Sequence, residues 1–267
     1  SGTLPLEQLL PGVKTVTASI SSINPSYLFA NPTTTLTITK ENAVVDYTGQ
    51  EFASTGSATA STAPVRLSAT IRDITAANPV SDPDAGIITN AKARFIIRTL
   101  NPTSMSVAST STTRWLKVNL IGTDTRVGSI LLDTIFNIGS NNSLPYEIGV
   151  EVDSFYTSST NSIASLVVSK TVDDFVTFGG NLLMNPNTSA GLYPSNFGSK
   201  VNFGGQAKWN KNRNNLQGGV NVIWRTGGDN VYQAKGILGG NNGSLSVNTT
   251  NASNKRATII EIGRAHV

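Results

Sequence analysis

The sequence predicts an all-β protein built from two tandem β-sandwich domains that follow an N-terminal extension strand. Short runs of alternating apolar and polar residues recur roughly every eight to twelve residues, which is the strand spacing of a sandwich. Charged residues make up only 13% of the chain, while serine, threonine, asparagine and glycine are abundant and favour strands and turns. No window keeps a helical apolar period over three turns, so we expect almost no helix.

The first strand, over residues 13–23, has no evident partner in its own chain. Val16, Ala18 and Ile20 share one face and alternate with threonine and serine, as in a half-buried strand. Asn-Pro pairs at 24–25 and 31–32 then separate it from the strands that follow. We therefore predict that residues 1–32 form a donor strand and linker, and that the strand completes a sheet in a neighbouring copy. The residues of this assembly strand are Val13, Val16, Ala18, Ile20 and Ile23.

Residues 33–170 form the first predicted domain, a sandwich that is complete without the leading strand. The run from Val65 to Asp73 alternates most clearly, with Val65, Leu67 and Ile71 directed inward. The other predicted strands cover 35–39, 43–49, 91–97, 115–120, 128–136, 146–152 and 163–169.

Residues 171–262 form the second predicted domain, in which glycines and aromatic residues are closely spaced between 202 and 225. The pair Gly218 and Gly219 indicates a bulge or a close backbone approach. Further short strands are predicted over 231–237, 245–247 and 257–260. The total of about five or six strands is low for a closed sandwich.

Three stretches of the first domain carry a family resemblance. They are Val-Asp-Tyr-Thr-Gly at 45–49, Leu-Ser-Ala-Thr-Ile-Arg-Asp at 67–73, and the alternating strand from Tyr146 to Val152. This region resembles the immunoglobulin-like modules that are repeated in large secreted bacterial proteins. The block at 202–225 resembles a small β-module that follows such repeats. The resemblance implies tandem immunoglobulin-like β-sandwiches in a secreted bacterial surface or fibre protein, and it implies no catalytic residue.

The end of the chain, from Glu261 to Val267, resembles the in-frame translation of a sequencing adapter. We therefore expect residues 263–267 to be a non-native tail that truncates the second domain, although a genuine tail is the alternative. The chain also opens at Ser1 without methionine, which is compatible with a removed leader. The single histidine, His266, lies in this tail, so histidine-dependent triads and zinc sites are excluded from the rest.

Composition and motifs argue against several other functions. The chain has no cysteine, and its formal net charge of +4 comes from scattered residues, so no basic stripe indicates nucleic-acid binding. No apolar run is long enough for a membrane-spanning helix. No nucleophile elbow or phosphate-binding loop occurs, and Glu147 and Glu151 are read as solvent-facing alternates of one strand. We predict no enzymatic activity and no cofactor.

Two groups of side chains are candidates for binding, and each has a simpler explanation. Aromatic and basic residues lie together in the second domain, where a tryptophan can stack on a sugar or a base, although core packing is the more frequent role of such a tryptophan. They are Lys208, Trp209, Lys211, Arg213, Trp224 and Arg225. Asp73, Asp82 and Asp84 flank a loop that can hold Ca²⁺, and Asp173 and Asp174 offer the same chemistry; solvated loops are the commoner explanation.

Five Asn-x-Ser/Thr sequons are candidate glycosylation sites in predicted loops. They are Asn141, Asn187, Asn242, Asn248 and Asn251.

The sequence favours a structural subunit of an extracellular filament, which assembles head-to-tail by donating its N-terminal strand to an identical subunit. The alternative is a non-enzymatic stalk or carbohydrate-binding module of a larger secreted bacterial adhesin, with glycans as partners. Both place the protein outside the cell or on its surface.

Overall fold

The computed structural model is all-β, as the sequence predicts. It describes residues 9–19, 31–75, 86–158, 162–170, 175–185, 191–195, 198–210, 216–226, 231–238, 244–248, 256–260 and 264–266. The helical element that lies wholly within these ranges is a 3₁₀ turn at Ile88–Asn90.

The first two strands form a separate two-stranded ribbon. Strand β1 (Gly12–Thr17) pairs antiparallel with β2 (Thr33–Ile38), with Gly12 opposite Ile38 and Thr17 opposite Thr33. The expectation that β1 has no partner in its own chain is therefore wrong, and β2 belongs to the ribbon instead of the first sandwich. Alternation identified both segments as strands, but it does not reveal which strands become neighbours. Ile20 and Ile23 lie outside the described residues.

The first sandwich consists of two sheets, which we call the outer sheet and the middle sheet. The outer sheet has the order β12 (Tyr156–Ser158), β3 (Glu41–Tyr47), β5 (Thr62–Asp73), β10 (Val127–Asn137) and β9 (Asn119–Leu120). The middle sheet has the order β4 (Phe52–Ser54), β13 (Ser162–Ser169), β11 (Ser143–Ser154), β6 (Ala91–Leu100) and β7 (Val107–Thr112), and β8 (Leu116–Lys117) also pairs with β6. Pairing is antiparallel except between β12 and β3 and between β13 and β4.

The main core lies between these two sheets, and strand alternation explains it. Val65, Leu67 and Ile71 of β5 are buried, as predicted, while Arg66 and Arg72 on the alternate positions are exposed. The middle sheet contributes Phe95, whose ring meets the ring of Tyr47 edge-on at 6.4 Å.

A third sheet covers the opposite face of the middle sheet. Among the described residues it has the order β14 (Phe175–Leu183), β15 (Lys200–Trp209), β16 (Leu216–Arg225), β17 (Val231–Leu238) and β20 (Arg264–His266), and a hairpin of β18 (Ser244–Asn248) and β19 (Arg256–Ile260) accompanies it. The segment expected to be a non-native tail thus supplies β20. The all-β class is confirmed, but this arrangement does not confirm a second tandem immunoglobulin-like sandwich.

Glycines allow the third sheet to approach the middle sheet closely. A Cβ atom on Gly204 would lie 2.6 Å from Ser165 Oγ, and one on Gly179 would lie 2.4 Å from the carbonyl oxygen of Glu51. A Cβ atom on Gly236, by contrast, would meet its nearest neighbour at 3.9 Å. The glycine-rich sequence of the second region is therefore a requirement of sheet packing.

We predict that Gly204→Ala lowers the free energy of unfolding by about 1–3 kcal/mol, because the new methyl group overpacks the contact between the two sheets. Urea denaturation measures this change. Gly236→Ala is the matched control and is expected to be neutral or stabilising by less than about 1 kcal/mol, since its methyl group has room. Equal destabilisation by both substitutions would contradict this account of the packing.

Candidate assembly and binding surfaces

The β1–β2 ribbon presents both of its faces to solvent. Nearly every residue of the two strands is exposed, and the side chain of Val13 is 69% exposed. A two-stranded hairpin is at best marginally stable by itself in water, because it buries no core. The ribbon is therefore a surface that gains stability from any partner that packs against it.

The two faces of the ribbon differ in chemistry. The pairing register places Val16, Leu36 and Ile38 on one face, which we call the apolar face, together with Lys14; Ala18 follows Val16 on the same side. The opposite face, which we call the threonine face, carries Val13 and five threonines. These threonines are Thr15, Thr17, Thr33, Thr35 and Thr37.

A short connection fixes the base of the ribbon to the sandwich. Residues 39–40 separate β2 from β3, where the Glu41 amide donates to the carbonyl oxygen of Phe155 at 3.0 Å. Lys40 forms an ion pair with Asp153. The hydrogen bond from Lys40 lowers the pKa of the Asp153 carboxyl from its ordinary value. The ribbon therefore extends from a defined point at the start of β3.

Trp224 lies on the face of the third sheet that is turned away from the middle sheet. Its ring stacks on Tyr232 at 5.8 Å, and Tyr232 in turn contacts the ring of Tyr193 at 4.8 Å. The indole N–H donates to the carbonyl oxygen of Tyr193 at 3.0 Å. We call these three residues the aromatic cluster. Sequence reasoning favoured core packing for Trp224 and missed both tyrosines, because their proximity depends on strand pairing.

The other residues of the predicted aromatic and basic group lie apart from this cluster. Trp209 packs against the small apolar cluster that contains Ala207 and Leu245. Lys208 is half-buried on the neighbouring position of β15. Lys211 and Arg213 lie outside the described residues.

Arg225 points in the opposite direction from Trp224 and joins the sheets. Its guanidinium donates to the carbonyl oxygens of Ile163 at 2.9 Å and of Lys200 at 2.8 Å, and to Asn202 Oδ1 at 3.2 Å. Burial lowers the pKa of Arg225 from its ordinary value, since desolvation disfavours the charged form. Arg225 therefore acts in packing and is not a surface cation beside the tryptophan.

The expectation that Glu147 and Glu151 both face solvent is wrong for Glu147. Its side chain is 5% exposed and lies 2.9 Å from Lys235 Nζ, and Gln233 donates to the same carboxylate. Glu151 stays 42% exposed and pairs with Arg94 at 2.7 Å. The third sheet covers the carboxylate of Glu147 and leaves that of Glu151 partly exposed. Four residues of one strand separate their Cα atoms by about 14 Å, which is wider than a glycosidase pair.

The predicted calcium residues are placed only in part. Asp73 is buried, where it accepts from the Tyr156 hydroxyl at 3.3 Å and from the Thr75 amide at 2.8 Å. Burial, followed by the nearby charge of Asp73, raises the pKa of Tyr156. No cluster of three or more metal-binding side chains occurs in the described part of the chain. The remaining candidates, Asp82, Asp84, Asp173 and Asp174, fall outside it.

Two of the five sequons lie in described segments. Asn141 occupies an exposed turn, and its Nδ2 donates to the carbonyl oxygen of Ile138 at 3.0 Å. Asn248 is the last residue of β18. Asn187, Asn242 and Asn251 lie outside the described residues, and glycosylation at all five stays a prediction.

No protein-family model, curated protein or solved structure matches this chain. In the segments that the structure describes, no helix has the length and apolar character to cross a membrane.

We predict that Lys235→Met lowers the free energy of unfolding by about 3 kcal/mol, because it leaves the buried Glu147 carboxylate without its cation. The double variant Lys235→Met with Glu147→Leu is expected to recover most of this loss, since an apolar pair of similar volume often replaces a buried ion pair. Chemical denaturation of both variants measures the coupling. A double variant less stable than Lys235→Met alone would contradict the predicted role of the pair.

Proposed function

We propose that this chain is an immunoglobulin-like structural subunit of an extracellular filament, which assembles head-to-tail by donating its N-terminal ribbon to an identical subunit. The observation that carries the proposal is the β1–β2 ribbon, which has an apolar face and no core beneath it. Docking on a neighbour would bury the 37% of Val16 and of Leu36 that is exposed, which contributes roughly 0.5–1 kcal/mol for each side chain.

The donated element in this proposal is the two-stranded ribbon and not a lone strand. Because β2 pairs with β1 along its whole length, a neighbour that accepts β1 receives β2 with it. One edge of β1 bonds to β2. In the described part of the chain no strand pairs with its other edge, whose backbone groups can bond a further strand. Donation thus extends a sheet by two strands, which is β-augmentation by a preformed unit.

The geometry of donation favours an open filament over a closed dimer. The ribbon is one surface of the subunit, and the surface that receives it is another, so the interface is heterologous. A heterologous interface repeats from copy to copy unless its rotation closes a ring.

No catalytic arrangement of side chains occurs among the described residues. The carboxylates of Glu147 and Glu151 each form an ion pair with a separate cation. The polar contacts between the middle and third sheets serve packing. A non-enzymatic role therefore remains our proposal, together with a position outside the cell.

A second candidate function, a stalk or carbohydrate-binding module of a secreted adhesin, is favoured by the aromatic cluster. Trp224, Tyr232 and Tyr193 form a continuous aromatic surface turned away from the rest of the fold, and Tyr193 is 43% exposed. Aromatic faces of this kind stack on the apolar face of a sugar ring.

We predict that Val16→Asp combined with Leu36→Asp abolishes assembly, because two carboxylates on the apolar face cannot be buried unpaired. Electron microscopy and sedimentation velocity measure this loss, and deletion of residues 1–38 is expected to have the same effect. The matched control, Thr15→Asp with Thr35→Asp, changes the threonine face and should leave assembly largely intact. Neither double variant should change sandwich stability by more than about 0.5 kcal/mol. A wild-type protein that stays monomeric at all concentrations would overturn the proposal.

The glycan hypothesis makes a separate prediction. Trp224→Ala is expected to weaken binding of any glycan that the protein recognises by about tenfold, which corresponds to the loss of one aromatic contact of about 1.4 kcal/mol. Glycan arrays followed by titration calorimetry measure this change. Trp115→Ala is the control, because the Arg94 guanidinium covers that ring at 4.4 Å. Equal losses in both variants, or no glycan binding by the wild type, would contradict the hypothesis.

A further inference from the structure

We propose that the open edge of β10 in the outer sheet accepts the β1–β2 ribbon of a second copy of this chain. The inference rests on the proposed function and deepens it, because it names the acceptor. It is carried by the hydrogen-bonding direction of two strand edges, by the exposure of the side chains beside them, and by the distance between them.

Strand β10 is paired along only one of its two edges. It bonds to β5 over its full length, from Val127 to Asn137, whereas in the described part of the chain β9 pairs with it at Gly128 and Ser129. The stretch from 130 to 137 therefore has no described strand on its second edge. An exposed strand edge is a template for pairing with another chain.

The direction of the backbone groups on this edge follows from two hydrogen bonds. The carbonyl oxygen of Arg126 accepts from the Asp73 amide at 2.9 Å on the β5 side, and the carbonyl oxygen of Val127 accepts from the Ile121 amide at 3.0 Å on the opposite side. In an antiparallel ladder this direction alternates residue by residue. Leu131, Asp133 and Ile135 therefore direct their amide and carbonyl groups to the open edge.

Apolar side chains line the open edge on both of its faces. Leu131 and Ile135 are 53% and 71% exposed on the solvent side of the outer sheet. Leu132 packs against the main core on the other side but stays partly exposed, as does Thr134. A strand added here would complete the cover over Leu132 and place one of its own side chains beside Ile135.

The ribbon carries a complementary edge. The Ala18 amide donates to the carbonyl oxygen of Pro32 at 3.0 Å, so the even-numbered residues of β1 bond to β2. Val13, Thr15 and Thr17 therefore direct their backbone groups away from β2. These three residues match the three open positions Leu131, Asp133 and Ile135 in number and spacing.

Pairing of these two edges determines which face of the ribbon turns inward. Residues that bond directly across an antiparallel ladder share a face of the sheet, so Thr15 joins the solvent side with Asp133. Val16 then falls on the side of Leu132, next to the sandwich core. The apolar face is buried and the threonine face stays in water, with Lys14 long enough to place its ammonium group at the margin.

The ribbon cannot reach the open edge of its own chain. In the pairing described above, Ile38 lies level with Phe136, which is opposite Ala63. Ala43 is opposite Asp73 at the other end of β5, so Ile38 would lie about 34 Å from Ala43 along the strands. The connection from Ile38 to Ala43 spans at most about 18 Å. The acceptor must therefore belong to a second copy.

Proline substitution tests the acceptor without breaking the fold. Ile135→Pro removes an amide that points to the open edge and keeps the ladder to β5, so it is expected to weaken assembly at least about tenfold. Thr110→Pro is the matched control on β7. There the Thr113 amide bonds to Phe95, so by alternation the Thr110 amide points away from β6. Sedimentation velocity measures assembly, and thermal unfolding verifies that both variants fold.

Cysteine cross-linking identifies the contact directly, because the natural chain has no cysteine. Thr17→Cys is combined with Leu131→Cys, and Val13→Cys with Ile135→Cys, because these residues are bonded partners in the antiparallel pairing and such partners have Cα atoms about 5.5 Å apart. Oxidation of at least one of these pairs should give a ladder of covalent multimers in non-reducing gels. Each single-cysteine variant should stop at a dimer, and Thr17→Cys with Thr110→Cys should give no ladder.

The outcomes separate the two proposals. Filaments that require the ribbon but give no ladder with either β10 pair, or that give one with Thr110→Cys, overturn the β10 acceptor and leave the proposed function intact. Filaments that withstand Ile135→Pro also overturn the acceptor. A wild-type chain that never assembles overturns both proposals.

Discussion

Burial of two strands of the middle sheet, β11 and β13, on both faces is the constraint on which the rest of the structure depends. Its face toward the outer sheet is apolar and holds the main core. Its other face carries polar groups that the third sheet must satisfy, and each would cost free energy if left buried and unpaired. Glu51 illustrates this requirement, because its carboxylate accepts from Asn181 at 3.0 Å and from Asn202 at 2.6 Å. The second region of the chain is organised to meet these groups.

Glycines and polar residues have different roles in the interface between the middle sheet and the third sheet. Gly204 and Gly179 allow the backbones to come close, and Arg225 and Lys235 supply charges to acceptors of the middle sheet. Such an interface fixes the position and register of the third sheet but adds little to the free energy of unfolding, since its hydrogen bonds replace hydrogen bonds to water. It also leaves the outward face of the third sheet available for the aromatic cluster.

The proposed assembly depends on two strand edges that have no neighbouring strand. The third sheet covers a face of the sandwich, but among the described strands part of β10 and one edge of β1 have no neighbour. Natural β-proteins avoid long open edges because these pair with other chains. Two such edges in one subunit, with matching bonding direction and matching faces, are a simple basis for a polymer. The short connection at Lys40 makes the pairing intermolecular.

The sequence by itself determined the all-β class and the inward residues of strands such as β5, because side-chain alternation is a local consequence of strand geometry. It also identified the N-terminal strand and the unusual glycine content of the second region. Only the tertiary structure decided that β1 pairs with β2, that Glu147 is buried while Glu151 is not, and that Trp224 faces outward beside Tyr193 and Tyr232. These features depend on which distant strands and sheets become neighbours, and a periodic pattern carries no information about its partner.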